Sequence, residues 1–99
     1  EKNSIRGKHA HRLCSQLLIC SNGSVEVTCD DSFDQKIFLL NKPNLGLLVP
    51  PAIWAEQKYL QKNSSMTVIC DRLFEQEDYI SDYDNFKDFA YKLYHKERS

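Results

Sequence analysis

The sequence predicts a mainly β domain, an antiparallel sandwich or barrel with one C-terminal α-helix, and three observations carry that reading. Short β-prone runs recur along the chain: Gln16–Cys20, Ser24–Cys29, Gln35–Leu40, Leu47–Val49, Ile53–Leu60 and Met66–Cys70. Turn-forming clusters separate them, among them Asn22-Gly23, Asp30-Asp31-Ser32, Asn41-Lys42-Pro43-Asn44 and Pro50-Pro51, and such regular punctuation marks all-β architectures. Only the end departs, where Phe86, Phe89, Ala90, Leu93 and Tyr94 recur at helical spacing.

Taken in order, residues 1–11 read as an incoming extended segment with a bend at Arg6-Gly7, and Arg12–Ser15 as a short connection. Gln16–Cys20 and Ser24–Cys29 flank Asn22-Gly23, the strongest short-range hairpin signal, and are expected to pair with each other. Gln35–Leu40 is the next strand. Leu47–Val49 reads as a short buried strand stopped by Pro50-Pro51, because neither proline can donate to a ladder. Ile53–Leu60 and the β-branched run within Met66–Cys70 complete about seven strands. The acidic stretch Glu75-Gln76-Glu77-Asp78 reads as a solvated loop, and residues 85–96 as an amphipathic helix with Asp82 and Asp84 as candidate caps. His95 falls on the exposed C-terminal turn of that helix, where the dipole favours it.

Ninety-nine residues make one domain, and 41% hydrophobic with 27% charged residues is the composition of an ordinary globular protein. A formal net charge of -1 gives no basic field for nucleic acid or anionic lipid. The apolar runs fall far short of the ~20 residues that span a bilayer, which points to a cytoplasmic protein with no membrane partner. None of Cys14, Cys20, Cys29 and Cys70 forms a Cys-x-x-Cys pair, so reduced, buried thiols are expected rather than disulfides or a zinc site. The chain opens at Glu1, in mid-pattern, and an N-terminal portion of the natural protein is expected to precede it.

Chemistry concentrates at Arg6-Gly7-Lys8-His9-Ala10-His11. On an extended segment His9 and His11 point to the same face, an arrangement that can hold a metal or move protons. Gln16 has the donor and acceptor to orient an imidazole or a substrate hydroxyl, or to satisfy buried backbone groups. Trp54 offers a face for stacking or bulk for the core, and Tyr59 is a candidate for the barrel interior.

The spacing of His9-x-His11, Gln16 and Gly23 resembles the first cupin motif, and Gly46 through Pro50-x-Ala52-x-x-Ala55 resembles the second. In metal-binding cupins a glutamate and a third histidine complete the ligand set; here those positions are Gln16 and Ala55, so no metal is expected. A narrower resemblance covers nearly the whole chain. Arg6-Gly7-x-His9-Ala10-His11, Cys14-Ser15-Gln16, Gly23-Ser24, Leu40-Asn41-x-Pro43, Pro50-Pro51-x-x-Trp54 and Asp78-Tyr79-Ile80-x-Asp82-Tyr83-Asp84 resemble the WxcM-like sugar nucleotide 3,4-ketoisomerases.

That resemblance implies a single jelly-roll cupin domain over residues 1–99 that works as a homodimer without metal or cofactor. The implied activity converts dTDP-4-keto-6-deoxyglucose into its 3-keto isomer, on the route to amino sugars of surface polysaccharides. Carried over, His11 would be the base, with His9 and Arg6 beside it; Gln16, Trp54 and Tyr59 are, from their residue types, further candidates for contact with the dTDP-sugar. Moving a carbonyl by one carbon through an enediol needs a base, an acid and donors to the developing oxyanion, and histidine, with a pKa near ~6.5, suits the proton work. Ala55 departs from the polar or basic residue usual in the family, and the family's N-terminal strands have no counterpart in residues 1–99. The alternatives are a related epimerase-like cupin and a non-catalytic sugar-nucleotide-binding or interaction module.

Overall fold

In the computed structural model, which describes residues 3–98, eight strands form two antiparallel sheets that face each other. The larger sheet runs β4 (Gln35–Leu40), β3 (Val25–Asp30), β6 (Trp54–Tyr59), β1 (Ile5–His11) and β8 (Tyr79–Ile80); the smaller runs β5 (Gly46–Val49), β2 (Gln16–Asn22) and β7 (Ser65–Cys70). Side chains alternate along each strand, so Leu18 and Cys20 of β2 meet Val25 and Val27 of β3 across the sandwich, all at most 1% exposed. The expected mainly β architecture with one C-terminal helix is therefore present.

The expected hairpin is not. β2 pairs with β5 and β7, and β3 pairs with β4 and β6. Asn22 and Gly23 instead turn the chain from one sheet to the other. Gly23 has φ +78°, and a side chain there would put its Cβ 2.8 Å from the Cα of Ser64. The corner is tied to the turn after β6: Asn22 Nδ2 donates to the Asn63 carbonyl at 2.8 Å, and Ser64 Oγ accepts from the Ser24 amide at 3.1 Å. Burial decides the outcome, because side by side the two strands would show their apolar faces to one side, whereas facing each other they bury them.

The hairpin that does form joins β3 to β4, where Asp31 Oδ1 accepts the Phe33 and Asp34 amides at 2.8 Å each. Two further expectations need correcting. β5 is an edge strand rather than a buried one, with Leu48 64% exposed. Cys14 and Cys20 are buried and Cys29 half-buried, but Cys70 is exposed because β7 is also an edge; all four are free thiols.

The expected bend at Arg6-Gly7 is a bulge: Gly7 has φ +75° and the β1–β6 register shifts between Arg6 and His9. Residues 1 and 2 of the expected incoming segment lie outside the described residues. The one α-helix among the described residues, α1 (Tyr83–Arg98), begins where Asp82 Oδ1 accepts the Asp84 amide at 2.8 Å. Its Phe86 and Ala90, fully buried, pack on Ala10, Trp54 and Ile80 from the outer face of the larger sheet. No helix among the described residues is long and apolar enough to cross a membrane.

Candidate active site

Strand alternation in β1 sends Ala10 outward beneath α1 and leaves His9 and His11 on the inner side. The bulge at Gly7 sets the register that puts His9 opposite Ala55, while the last residue of β1, His11, pairs with Tyr79 of β8. The Pro50-Pro51 turn clamps this end of β1, with the Ala52 amide donating to the His11 carbonyl at 2.9 Å. Three rings gather there. The His9 and His11 centroids are 4.9 Å apart and edge-on, and Tyr79 lies 4.9 Å from His9 and 4.4 Å from His11.

Asp78 arrives from a 3-10 turn, Gln76–Asp78, just before β8. Its Oδ2 is 2.8 Å from His11 Nδ1, its Oδ1 accepts the Leu13 amide at 2.6 Å, and Oδ2 also takes the Cys14 amide at 3.3 Å. Burial alone would raise this carboxyl's pKa, but the hydrogen bonds from His11 and the two amides outweigh it and hold the pKa below the usual carboxylate value. An ionised Asp78 accepts hydrogen bonds only, so the proton between the pair belongs to His11 Nδ1, and the neutral form of the ring carries its lone pair on Nε2. That Nε2 is buried without a partner, the one such side-chain nitrogen or oxygen among the described residues. A buried, unpaired acceptor is costly in a finished core and useful where a proton is to be taken.

His9 is held differently. Burial, reinforced by the neighbouring His11, lowers its pKa to about 4, so it stays neutral near pH 7 and presents a ring N–H as a donor. Tyr79 has its phenol pushed up, first by burial, and stays protonated. His11, Asp78 and Tyr79 line a cleft of about 230 Å³ together with Cys14, Cys70 and Phe74.

The other sequence candidates fall in three places. Gln16 is buried, and its Nε2 lies 3.5 Å from Cys70 Sγ at the same end of the sandwich as the cleft. Arg6 and Tyr59 form a separate group: the Arg6 guanidinium sits 5.2 Å above the Tyr59 ring, and Tyr59 donates its hydroxyl to Gln57 Oε1 at 3.2 Å. Tyr59 is four residues from Ala55, roughly 13 Å along an extended strand. Trp54 is on the opposite face, buried under α1 with its Nε1 bonded to Glu56 Oε2 at 2.9 Å. It fills core there and is not brought to the histidines.

Sequence reasoning missed Asp78, Tyr79 and the buried Gln57. Of the acidic stretch read as solvated, Glu75, Gln76 and Glu77 are exposed, but Asp78 is 8% exposed, which corrects that reading. The available signal was its immediate continuation into Tyr79-Ile80, which carries the end of the acidic run into the core. For a metal, the nearest donor set among the described residues is His11, Cys14 and Asp78, with ligand atoms within 4.8 Å of one another. Two of the three are already engaged: Asp78 accepts three hydrogen bonds, and the Cys14 thiol donates to the Ser15 carbonyl at 3.3 Å, which leaves His11 Nε2 as the one open ligand atom of the set.

Residues 1–91 match the family model described as FdtA, WxcM-like, C-terminal. The chain belongs to this family. A curated family relative, the TDP-4-oxo-6-deoxy-alpha-D-glucose-3,4-oxoisomerase of Aneurinibacillus thermoaerophilus, is 39% identical over 88 residues, which cover 89% of this chain and 63% of the relative. The chain therefore spans somewhat less than two thirds of that relative's length. Among solved structures, a sugar 3,4-ketoisomerase from Thermoanaerobacterium thermosaccharolyticum in complex with TDP superposes with a TM-score of 0.89 at 34% identity, over 94% of this chain and 68% of the other. A 3,4-ketoisomerase from Helicobacter canadensis gives 0.87 at 31% identity, over 91% and 68%. The family expected from the motifs is thus the family found, and its members share this cupin-like fold.

Proposed function

We propose that this chain is a sugar nucleotide 3,4-ketoisomerase that interconverts dTDP-4-keto-6-deoxyglucose and its 3-keto isomer, as a cytoplasmic homodimer supplying deoxyamino-sugar synthesis for surface polysaccharide. The observation that carries the reading is His11: its Nδ1 is fixed on a buried carboxylate and its Nε2 is left unpaired beside two neutral donors. The named activities of the relatives in the same family support the same substrate class.

In this reading Nε2 of His11 takes the C3 proton, and the electron pair moves into the C3–C4 bond as charge passes to the C4 oxygen. Asp78 stabilises the imidazolium so formed. The ring N–H of His9 and the Tyr79 hydroxyl donate to the two oxygens of the enediolate. The O3 proton transfers to O4, the C3 carbonyl forms, and His11 returns its proton at C4. The low pKa of His9 argues for His11 as the proton carrier in both half-steps, because a group with a pKa of about 4 is almost never protonated near pH 7. No net oxidation occurs, so the balance needs no redox cofactor. Arg6, exposed and beside Tyr59, is at a distance suited to the diphosphate rather than to the reacting carbons. Gln16 orients a substrate hydroxyl.

The test is deuterium uptake from heavy water at C3 and C4 of dTDP-4-keto-6-deoxyglucose, with the 3-keto product identified by NMR. Uptake at both carbons with that product is expected. Binding of the dTDP-sugar with no uptake would move the assignment to a binding module, and an inverted product to an epimerase.

A further inference from the structure

The cleft wall next to His11 carries two thiols that the proton chemistry above does not use. Cys14 lies in the connection between β1 and β2, and Cys70 ends β7. The strands bring them together: Gln16 stands opposite Cys70, the Asp71 amide donates to the Ser15 carbonyl at 3.1 Å, and both cysteines face the same cleft. Gln16 Nε2 lies 3.5 Å from Cys70 Sγ, and Cys14 stands two residues before Gln16, so the two thiols border the same stretch of cleft wall.

We propose that Cys14 and Cys70 are a peroxide-sensitive thiol pair whose oxidation to a disulfide switches off the site at His11. The regulatory half rests on the isomerase reading; the cross-link does not. The two sulfurs differ in access, and that sets their order of reaction. Cys70 is exposed and meets the oxidant first, whereas Cys14 is buried, with its pKa pushed up to about 11 by burial and by the neighbouring Cys70. The Cys70 sulfur attacks the peroxide oxygen, the O–O bond breaks, and a sulfenic acid and one water result. Cys14 then gives up its thiol proton as its sulfur attacks that of Cys70, and the hydroxyl leaves as a second water. Two thiols lose two electrons and one peroxide gains them.

The effect on the site follows from a contact already described. A disulfide needs its sulfurs at about 2.05 Å, closer than two thiols in contact, so Cys14 must move toward Cys70. Cys14 lies outside any strand and can give. Its amide is one of the three donors that hold Asp78, and Asp78 holds His11. Pulling on Cys14 therefore loosens the carboxylate that fixes the imidazole.

The experiment treats the reduced protein with hydrogen peroxide, maps disulfides by mass spectrometry of unreduced peptides, and measures deuterium uptake into dTDP-4-keto-6-deoxyglucose before and after. We expect a Cys14–Cys70 linked peptide, a fall in uptake of about tenfold or more from loss of one hydrogen bond to a charged group, and recovery with dithiothreitol. Cys70→Ser, at an exposed position, should form no link and keep under peroxide the uptake it shows without it; Cys14→Ser should do the same. No link, or a link through Cys20 or Cys29, overturns the pair. A mapped link with unchanged uptake overturns the switch. Reduced protein without any uptake is a failure of the isomerase reading, and the peptide map then still decides the thiol pair.

Discussion

In the proposed mechanism His11, His9 and Asp78 divide the proton chemistry in ways that substitution can separate. Replacing His11 by Asn removes the lone pair that takes the C3 proton and should cost ~10²–10⁴-fold in deuterium uptake; uptake at the wild-type rate in that variant would remove His11 from the mechanism. With both carboxylate oxygens taken up by His11, Leu13 and Cys14, Asp78 is a positioning residue in this mechanism. Asp78→Asn should lower kcat by up to about 10⁴-fold, the loss known for an amide in place of a carboxylate that orients a histidine, with KM little changed. His9→Gln should cost less and leave the shape of the pH–rate profile between about pH 5 and 9 as it was, since a group already neutral there contributes no ionisation. The same group has a signature in stability. Its folded pKa lies below the ordinary value, so between about pH 6.5 and pH 4 the unfolded chain binds the extra proton and stability falls as pH falls. The Tm measured down that window should drop for the wild type and drop less for His9→Gln. Asp78 contributes at lower pH, where its depressed carboxyl is finally protonated and the stability it lends is lost.

At the scale of elements, what the sequence discloses is what depends on neighbours in the chain. The periodic runs, the turn at Asp30-Asp31-Ser32, the glycine bend in β1 and the spacing of Phe86, Phe89 and Ala90 are local patterns, and each became the element it indicated. Partners are another matter. Asn22-Gly23 is compatible with a two-residue hairpin and with a corner between sheets; burial of the facing apolar sides decides between them, and Ser64, some forty residues on, ties the corner. β8 has two residues and no room for a periodicity, so the strand that completes the site showed in the sequence only as part of the motif Asp78-Tyr79-Ile80. The buried role of Asp78 was hidden for the same reason, because its partners His11, Leu13 and Cys14 are remote in sequence. One element can be tested for how much it holds. Phe86 is fully buried where α1 meets the outer face of the larger sheet, and Phe86→Ala should destabilise the protein by about 3–5 kcal/mol in chemical denaturation. A loss under 1 kcal/mol would mean that α1 is not docked there in solution.

The whole molecule leaves apolar surface uncovered. Ile37 and Leu39 on β4, Leu48 on β5 and Ile69 on β7 are exposed, and these strands are edges with unpaired backbone groups. Self-association should follow, seen as a concentration-dependent dimer in sedimentation; a monomer at all accessible concentrations would contradict it. Elemental analysis should find no stoichiometric zinc, nickel or iron, since Gln16 and Ala55 supply no strong ligand beside the histidine pair. About one metal per chain, with uptake lost to chelators, would reverse that expectation. The separation of His11 from Asp78, 67 positions along the chain, has a bearing on how activity is lost. The carboxylate reaches its histidine through a two-residue strand that registers with β1 only at Ala10 and His11, whereas β2 and β7 share six paired positions. The weakest seam of the sandwich is thus the one that closes the dyad. In rising urea deuterium uptake should be lost before the protein unfolds, with the amides of Tyr79 and Ile80 exchanging with solvent while those of β2 and β3 remain protected.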